Sequence, residues 1–185
     1  TCYLQASGYP HNYQGLIDHL NAVQPADGWF TEHYGGDSNN GLSVQADGRK
    51  KPWQRHNTRK LDAVRQEIDR LGLAAEAKAV ALTSLILALD RVDNTIGHYA
   101  AYLQKWSARS YRQLQLTVPA FCPPGAHHQI FRRDIFDVVG GIDADLAYFD
   151  PPYGSNNAKM PPSRVRYAAY YHPWSTICLN DQPEV

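Results

Sequence analysis

The stretch of sequence that decides the fold lies near the C-terminal end of the chain. It reads Leu146-Ala147-Tyr148-Phe149-Asp150-Pro151-Pro152-Tyr153. Residues 146–149 form a compact apolar run, which is typical of a buried strand in a parallel sheet. A brief helix is predicted before it, from Ile135 to a stop at Gly140-Gly141. Because ligands bind beyond the carboxyl ends of strands in open α/β sheets, Asp150 lies where we expect chemistry.

The residues after this strand form a stiff loop that offers acceptors. Two prolines fix φ near about −65° and restrict the residue before each of them. Neither proline has an N–H group, so the loop presents the Asp150 carboxylate and backbone carbonyls beside the flat ring of Tyr153. This combination suits a planar ligand with an exocyclic amino group, whose hydrogens the acceptors would take while the ring stacks. The alternative is a proline-rich turn that only ends a core strand.

The same eight residues resemble the catalytic motif of adenine-specific DNA methyltransferases of the DPPY type, which use S-adenosyl-L-methionine (AdoMet). Residues 61–68, 94–103, 167–177 and 181–185 are similar to segments of restriction–modification adenine methylases in this family. The resemblance covers most of the chain. It implies an α/β fold: part of a Rossmann-like AdoMet-dependent methyltransferase core with a mainly helical target-recognition insertion.

The resemblance also implies site residues. Asp150 and the Pro151 carbonyl would accept hydrogen bonds from the target amino group, with Pro152 completing the motif and Tyr153 stacking on a flipped adenine. Asp134 and Ile135 would contact the adenine ring of AdoMet, although Asp134 is equally suited to cap the brief helix. The family's glycine-rich cofactor motif is not found in this sequence. We therefore expect the chain to be the central part of a longer enzyme.

The implied function is methyl transfer from AdoMet to the exocyclic amino group of adenine in a specific duplex DNA sequence. The base must flip out of the stack to be reached. Such enzymes protect host DNA, so a cognate restriction endonuclease acting on the same site is a possible partner. The alternative is a catalytically inactive DNA-recognition fragment of such an enzyme. A weaker alternative is a methylase of cytosine amino groups or of RNA adenine.

The charge pattern supports DNA contact despite a formal net charge of zero. Residues 1–48 hold five acids and no Lys or Arg, whereas residues 49–60 hold six bases and no acid. The candidate DNA contacts are Arg49, Lys50, Lys51, Arg55, Arg59 and Lys60. Farther along, Lys105, Arg109 and Arg112 are spaced like one helix face. In both groups the alternative is a solvated surface.

The family's motif order predicts three regions: residues 1–29 as the end of the cofactor half, 30–125 as the recognition insertion, and 126–185 as the catalytic half. Apolar spacing predicts three helices. The first follows Leu16 to Val23; the second follows Leu61 to Leu71, with Asn57 or Thr58 as N-cap and Gly72 as its end; the third runs from Leu82 toward Trp106. The polar, glycine-rich residues 31–57 are predicted to form a long loop.

The remaining features exclude several classes of protein. Three widely spaced cysteines form no CxxC pair, which favours a reducing cytoplasm over a disulfide scaffold or a zinc ribbon. His127-His128 lacks a third ligand at suitable spacing, so no metal is predicted. The most apolar stretch, residues 79–89, is too short to span a bilayer, and no membrane association is expected.

Overall fold

A computed structural model of the chain describes residues 10–122, 128–150 and 167–183. In chain order the named elements are α1 (Gln14–Ala22), α2 (Trp29–Tyr34), β1 (Gly35–Gly36), β2 (Trp53–Gln54), α3 (Arg55–Arg70), α4 (Ala75–Asp90), α5 (Ile135–Val138) and α6 (Tyr167–Leu179). Short 3₁₀ helices lie at Pro10–Tyr13, Asn39–Gly41, Ala108–Tyr111 and Val139–Gly141. Helices therefore dominate the described chain, together with one small parallel sheet in which β1 pairs with β2.

The first two predicted helices are confirmed, with one correction. α3 ends before Gly72, whose φ of +56° is the left-handed conformation that stops helices. Its start lies at Arg55, so neither Asn57 nor Thr58 is the N-cap. The Asn57 amide instead reaches sideways, accepting from Leu114 N at 2.8 Å and donating to Arg112 O at 2.9 Å. Asn57 thus holds the extended segment around residues 112–114 against the helix.

The third predicted helix is shorter than expected, because α4 ends at Asp90 and does not reach Trp106. Polar side chains just beyond its end turn the chain back. Thr95 Oγ1 donates to Asp93 Oδ2 at 2.7 Å, and the Asn94 amide bonds to Ser107 N at 2.8 Å and to Leu103 O at 3.2 Å. The Asn94 bonds tie the residues after α4 to residues 103 and 107, so the chain turns back instead of continuing as a helix.

The prediction of a long loop over residues 31–57 is wrong in part. Residues 31–34 belong to α2, and residues 42–51 form an antiparallel hairpin in which Val44 bridges Lys50. The buried Asp62 carboxylate of α3 sets the start of α2 by accepting from Phe30 N at 3.0 Å and Thr31 N at 2.8 Å. This long-range cap has no local signature in the sequence.

The close packing of β1 on α3 depends on a glycine. A Cβ on Gly35 would lie 2.5 Å from both Thr31 O and Thr58 Oγ1. No side chain fits there, so glycine allows α2 to turn directly into β1 beside α3.

One hydrophobic core joins the helices. It includes Ile17, Leu20, Phe30, Trp53, Leu61, Val64, Ile68, Leu85, Leu89, Leu114, Leu116 and Ile177. Each large apolar side chain buried in this way contributes about 1.5–3 kcal/mol. The core takes residues from all three regions expected from the motif order, whose boundaries stay a prediction.

Residues 128–150 differ from the rest of the described chain. The brief helix is confirmed as α5 and the following Val139–Gly141 turn. The buried strand over residues 146–149 is wrong for this structure: Leu146 is 87% exposed and Tyr148 is 86% exposed. The physical reason is that a strand needs a neighbouring strand for its backbone hydrogen bonds, and none of the described residues pairs with this run. The described residues contain only the small sheet of β1 and β2, so the Rossmann-like part of the predicted fold is not confirmed.

Candidate nucleic-acid interface

The hairpin of residues 42–51 presents the first predicted bases. Gln45 N donates to Arg49 O at 2.9 Å, and Gly48 N donates to Gln45 O at 2.9 Å. Gly48 has a φ of +75°, the conformation that such a turn requires. Asp47 Oδ1 accepts from Arg49 N at 2.9 Å and stiffens the turn further. Arg49 and Lys50 lie in this hairpin, and their side chains are exposed to solvent.

A fixed loop residue, Asp37, joins this hairpin to the start of α3. Its backbone N–H donates to Gln45 Oε1 at 2.9 Å, and its carbonyl accepts from Gln45 Nε2 at 3.3 Å and from Trp106 Nε1 at 3.1 Å. Its carboxylate accepts from Arg55 Nε at 2.7 Å. This hydrogen bond raises the pKa of Arg55 above its ordinary value.

A cleft of about 500 Å³ opens between the hairpin and α3. Its lining includes Glu32, Asp37, Asp47, Lys51 and Arg55. Both signs of charge meet here, and the carboxylate of Asp37 orients the guanidinium of Arg55. Lys51 is half-buried, and its ammonium donates to His33 O at 3.0 Å.

The start of α3 is unusual in its charge. The first turn of the helix carries no acid, and Arg55 and Arg59 lie within its first five residues. The positive end of the helix dipole disfavours cations there, so this placement costs stability. The same end of a helix attracts phosphates. Arg59 pairs with Asp27 on the α1–α2 connection at 3.2 Å, as Arg55 pairs with Asp37.

One predicted contact, Lys60, lies elsewhere. It is only 9% exposed, and its Nζ donates to Asn21 O at 2.7 Å and to Val23 O at the end of α1. Burial lowers the pKa of this amine. Lys60 therefore closes the carbonyl end of α1 rather than standing at the surface with Arg49, Lys50, Arg55 and Arg59. We call these last four residues the basic face.

The second group of bases does not form a helix face. Arg109 pairs with the buried Asp93 carboxylate and donates to Asp93 O at 3.0 Å and Thr95 O at 3.1 Å. Burial raises the pKa of Asp93, but the bonds from Thr95 and the Arg109 charge oppose that rise. Lys105 bridges Leu42 beside the hairpin, and Arg112 is exposed. Arg109 is thus a partly exposed residue whose guanidinium is bound to Asp93 and Thr95.

The residues predicted for catalysis and for the cofactor lie in or next to the exposed segment. Asp150 is exposed, whereas Pro151, Pro152 and Tyr153 lie outside the described residues. Asp134 caps α5, because its Oδ1 accepts from Phe136 N at 3.0 Å, and Ile135 is exposed. With these two side chains in solvent and no glycine-rich motif in the sequence, the described residues do not fit AdoMet by themselves.

The helix that follows the predicted catalytic motif packs firmly on the core. Trp174 of α6 lies with its ring 4.8 Å from that of Tyr99 and 6.0 Å from that of Trp53. The buried Arg65 of α3 donates from Nε to Ile177 O at 2.6 Å. Helix α6 is therefore attached to the same helix that begins with Arg55.

Sequence reasoning missed the partners that hold the basic face, namely Asp27, Asp37 and Gln45. The acidic block over residues 1–48 was a signal, but nothing local indicates which acid meets which base. Among the described residues, no cluster of three metal-ligating side chains occurs, and no helix is both long and apolar enough to cross a membrane.

Comparison with known proteins identifies the family. The family model for D12 class N6 adenine-specific DNA methyltransferases matches residues 54–172. The chain is 32% identical to modification methylase StsI of Streptococcus sanguinis over 132 residues, covering 69% of the chain and 19% of that protein. It is 26% identical to type II methyltransferase M.NlaIII of Neisseria lactamica over 170 residues, covering 90% of the chain and 46% of that protein.

The chain therefore spans less than half the length of these relatives. No solved structure gives a significant match to it. The matched residues include the start of α3, the Asp150 motif and the first residues of α6. Since the family model matches well over half of its residues, this chain belongs to the D12 class of N6 adenine-specific DNA methyltransferases.

Proposed function

We propose that the chain is the target-recognition and catalytic part of an enzyme that methylates the exocyclic amino group of adenine in a specific duplex DNA sequence. The family match over residues 54–172 carries this proposal, since it includes both helix α3, which begins with Arg55, and the Asp150 motif. D12 class enzymes use AdoMet as the methyl donor. Relatives named modification methylases support a role in restriction–modification, with a cognate endonuclease as the functional partner.

The chemistry proposed for this chain is positioning of the target amino group. The lone pair of that nitrogen is delocalised into the adenine ring, which makes it a poor nucleophile. Asp150 and the Pro151 carbonyl would accept its two hydrogens in the geometry of a tetrahedral nitrogen, while Tyr153 stacks on the flipped base. Pro152 would keep this loop stiff. Orientation and preorganised acceptors would then supply the rate without a covalent intermediate.

The exposed apolar side chains of residues 128–150 support the finer fold proposal. Leu146, Tyr148 and Phe149 are mostly in solvent, although their sequence suits a buried parallel strand. We propose that they join a Rossmann-like sheet whose cofactor half comes from the rest of the methyltransferase. In that assembly Asp134 and Ile135 would lie against the adenine of AdoMet, and residues 30–125 would form the recognition insertion.

The basic face is the proposed DNA contact. Exposed cations on a hairpin and at a helix start can reach the phosphates of a duplex, whereas a buried cation such as Lys60 cannot. Lys51 lies behind this face, and Lys60 is left out because it caps α1. The odd number of cysteines supports a cytoplasmic location.

The test is transfer of labelled methyl from AdoMet to duplex DNA, followed by nucleoside analysis. It compares this chain with a version extended by the cofactor half. We expect the extended enzyme to form N6-methyladenine in DNA and Asp150→Ala to abolish transfer while sparing DNA binding. Methylated cytosine, or RNA as substrate, would contradict the assignment. DNA binding without transfer by either version would leave the inactive recognition fragment as the function.

A further inference from the structure

The backbone of Asp37 is held by three hydrogen bonds to side chains of Gln45 and Trp106. It lies in a loop rich in glycine and asparagine, yet the Gln45 side-chain amide binds both its backbone N–H and its carbonyl, and the mostly buried Trp106 donates to the same carbonyl. These partners come from the hairpin and from the segment after α4. Gln45 and Trp106 therefore fix the backbone that carries the Asp37 carboxylate. The ion pair between this carboxylate and Arg55 is exposed and adds little stability by itself, so its consequence lies in where it holds the Arg55 side chain.

The carboxylate holds one edge of the Arg55 guanidinium. Asp37 Oδ1 accepts from Nε at 2.7 Å, and Oδ2 lies 3.5 Å from Nη2. A guanidinium has five N–H groups in a rigid plane. The side edge is therefore occupied, whereas the end edge, formed by Nη1 and Nη2, has no further hydrogen-bond partner among the described residues. About half of each side chain is exposed at the mouth of the cleft.

The end edge offers the donor pair that remains for a ligand. Two parallel N–H groups match the O6 and N7 acceptors of guanine in the major groove, which is the commonest specific contact between proteins and DNA. A long arginine that rotates freely loses entropy on making this contact. A carboxylate that holds the opposite edge removes part of that loss.

We propose that Asp37 is a positioning residue that presents the end edge of Arg55 to a guanine of the recognition sequence. Arg55 is then a specificity-determining residue. The inference rests on the proposed function, since it assumes that this chain binds a specific duplex. It adds the residue pair and the class of base that the pair reads.

A phosphate contact by Arg55 predicts the opposite effect of changing Asp37. If Arg55 only neutralised a phosphate, Asp37 would compete with DNA for it and would repel the backbone. Asp37→Asn would then tighten binding to every sequence. If Asp37 orients Arg55 toward a base, the same variant weakens binding to the selected sequence alone.

The experiment uses the purified chain and a duplex library with a randomised centre. Bound duplexes are selected and sequenced, and affinities are then measured for the selected duplex and for a shuffled duplex of equal composition. We expect Asp37→Asn to lower the selected-to-shuffled affinity ratio by roughly 5- to 100-fold, with a lost preference at one G·C pair. Affinity for the shuffled duplex should stay equal or rise.

Two further variants make the result decisive. Arg55→Lys keeps the charge and the Asp37 loop but lacks the planar fork, so it should lose the same preference. Glu32→Gln removes the same charge from the lining of the same cleft, and no ion pair among the described residues involves Glu32. Its affinity ratio should match that of the original chain. Circular dichroism checks that each variant is folded.

The outcomes separate the two proposals. An unchanged ratio for Asp37→Asn or Arg55→Lys, with tighter binding to both duplexes for the former, overturns the positioning role and makes Arg55 a phosphate contact. If the original chain selects no sequence and binds no duplex, DNA recognition by this chain fails, and the positioning role fails with it.

Discussion

The helical part of the molecule and the segment over residues 128–150 respond differently to the same physical rules. In the helical part, apolar spacing finds partners in the chain: α1, α3 and α4 bury their stripes against Phe30, Trp53 and Ile177. In the segment, equally apolar residues of the predicted strand, such as Leu146 and Phe149, stay in solvent. Hydrophobic pattern alone therefore does not determine burial. A helix satisfies its own backbone, whereas a strand depends on a neighbour for its hydrogen bonds.

The basic face and Asp150 differ in how the surrounding chain holds them. Two charges of the basic face are held in place, because Arg55 pairs with Asp37 and Arg59 pairs with Asp27. The proposed catalytic acid, Asp150, ends a segment whose apolar residues have no cover among the described residues. The geometry around Arg55 and Arg59 is thus set within the described residues, whereas the geometry around Asp150 is not.

The largest expected difference in stability is between replacing a buried aromatic residue of the core and replacing an exposed one in residues 128–150. Trp53 is fully buried, and its indole N–H donates to Leu89 O at 3.1 Å, whereas Phe136 is 87% exposed. We expect Trp53→Ala to lower the free energy of unfolding by about 3–5 kcal/mol. Phe136→Ala should change it by less than about 0.5 kcal/mol. Urea denaturation measures both, and similar losses would mean that the segment packs in solution.

A smaller effect is expected from the long-range cap of α2. The Asp62 carboxylate accepts from Phe30 N, Thr31 N and Thr31 Oγ1. Asp62→Ala leaves these donors unsatisfied in the core and should cost about 1–3 kcal/mol in urea denaturation. Asp137→Ala, which removes an exposed acid from α5, is the matched control and should be nearly neutral. An equally small loss at Asp62 would show that water replaces the carboxylate.

DNA binding gives a third contrast between the regions. Replacing Arg49 and Lys50 together by alanine should reduce the slope of log affinity against log salt by about 0.9 for each phosphate that these side chains neutralise. Arg132→Ala with Arg133→Ala removes two exposed charges from the segment instead. We expect that pair to leave the slope unchanged when binding is measured by fluorescence anisotropy at several salt concentrations. Equal reductions would extend the DNA-binding surface into the segment.

The smallest expected effect is on acid stability. Burial opposes ionisation of Asp69, but hydrogen bonds from Arg65, Lys78 and Asn180 outweigh it and lower its pKa from 3.8 to about 2. A carboxyl whose pKa is lower in the folded state stabilises the fold above its unfolded pKa, and this contribution is lost as pH falls from about 4 to about 2.

Urea denaturation at pH 5 and pH 3 measures the contribution of Asp69. Asp69→Asn should be less stable than the original chain at pH 5, and the difference between the two should shrink at pH 3. The effect is reduced by solvent, since over a third of the Asp69 side chain is exposed. A constant difference at both pH values would mean that the ion pair does not form.

Much of the fold near α3 was predictable, because its determinants are local. Apolar residues at helical spacing and a glycine at position 72 predicted the helix to within about a turn. In the structure Gly72 has the positive φ that ends a helix. Asn57 was misassigned because its amide serves residues 112–114, more than 50 positions away. The α2 helix and the hairpin were missed for the same reason, since Asp62 and Lys105 support them from distant parts of the chain.

The sequence by itself determined the family resemblance, the periodic helices and the presence of a basic block among acids. Only the tertiary structure decided what each charge does. Lys60 closes a helix, Arg109 neutralises the buried Asp93, and Arg55 stands at a cleft with one edge held by Asp37. The physical reason is that exposure and ion pairing depend on which distant segments meet. That meeting follows from packing of the whole core, whereas helix periodicity follows from residues three or four positions apart.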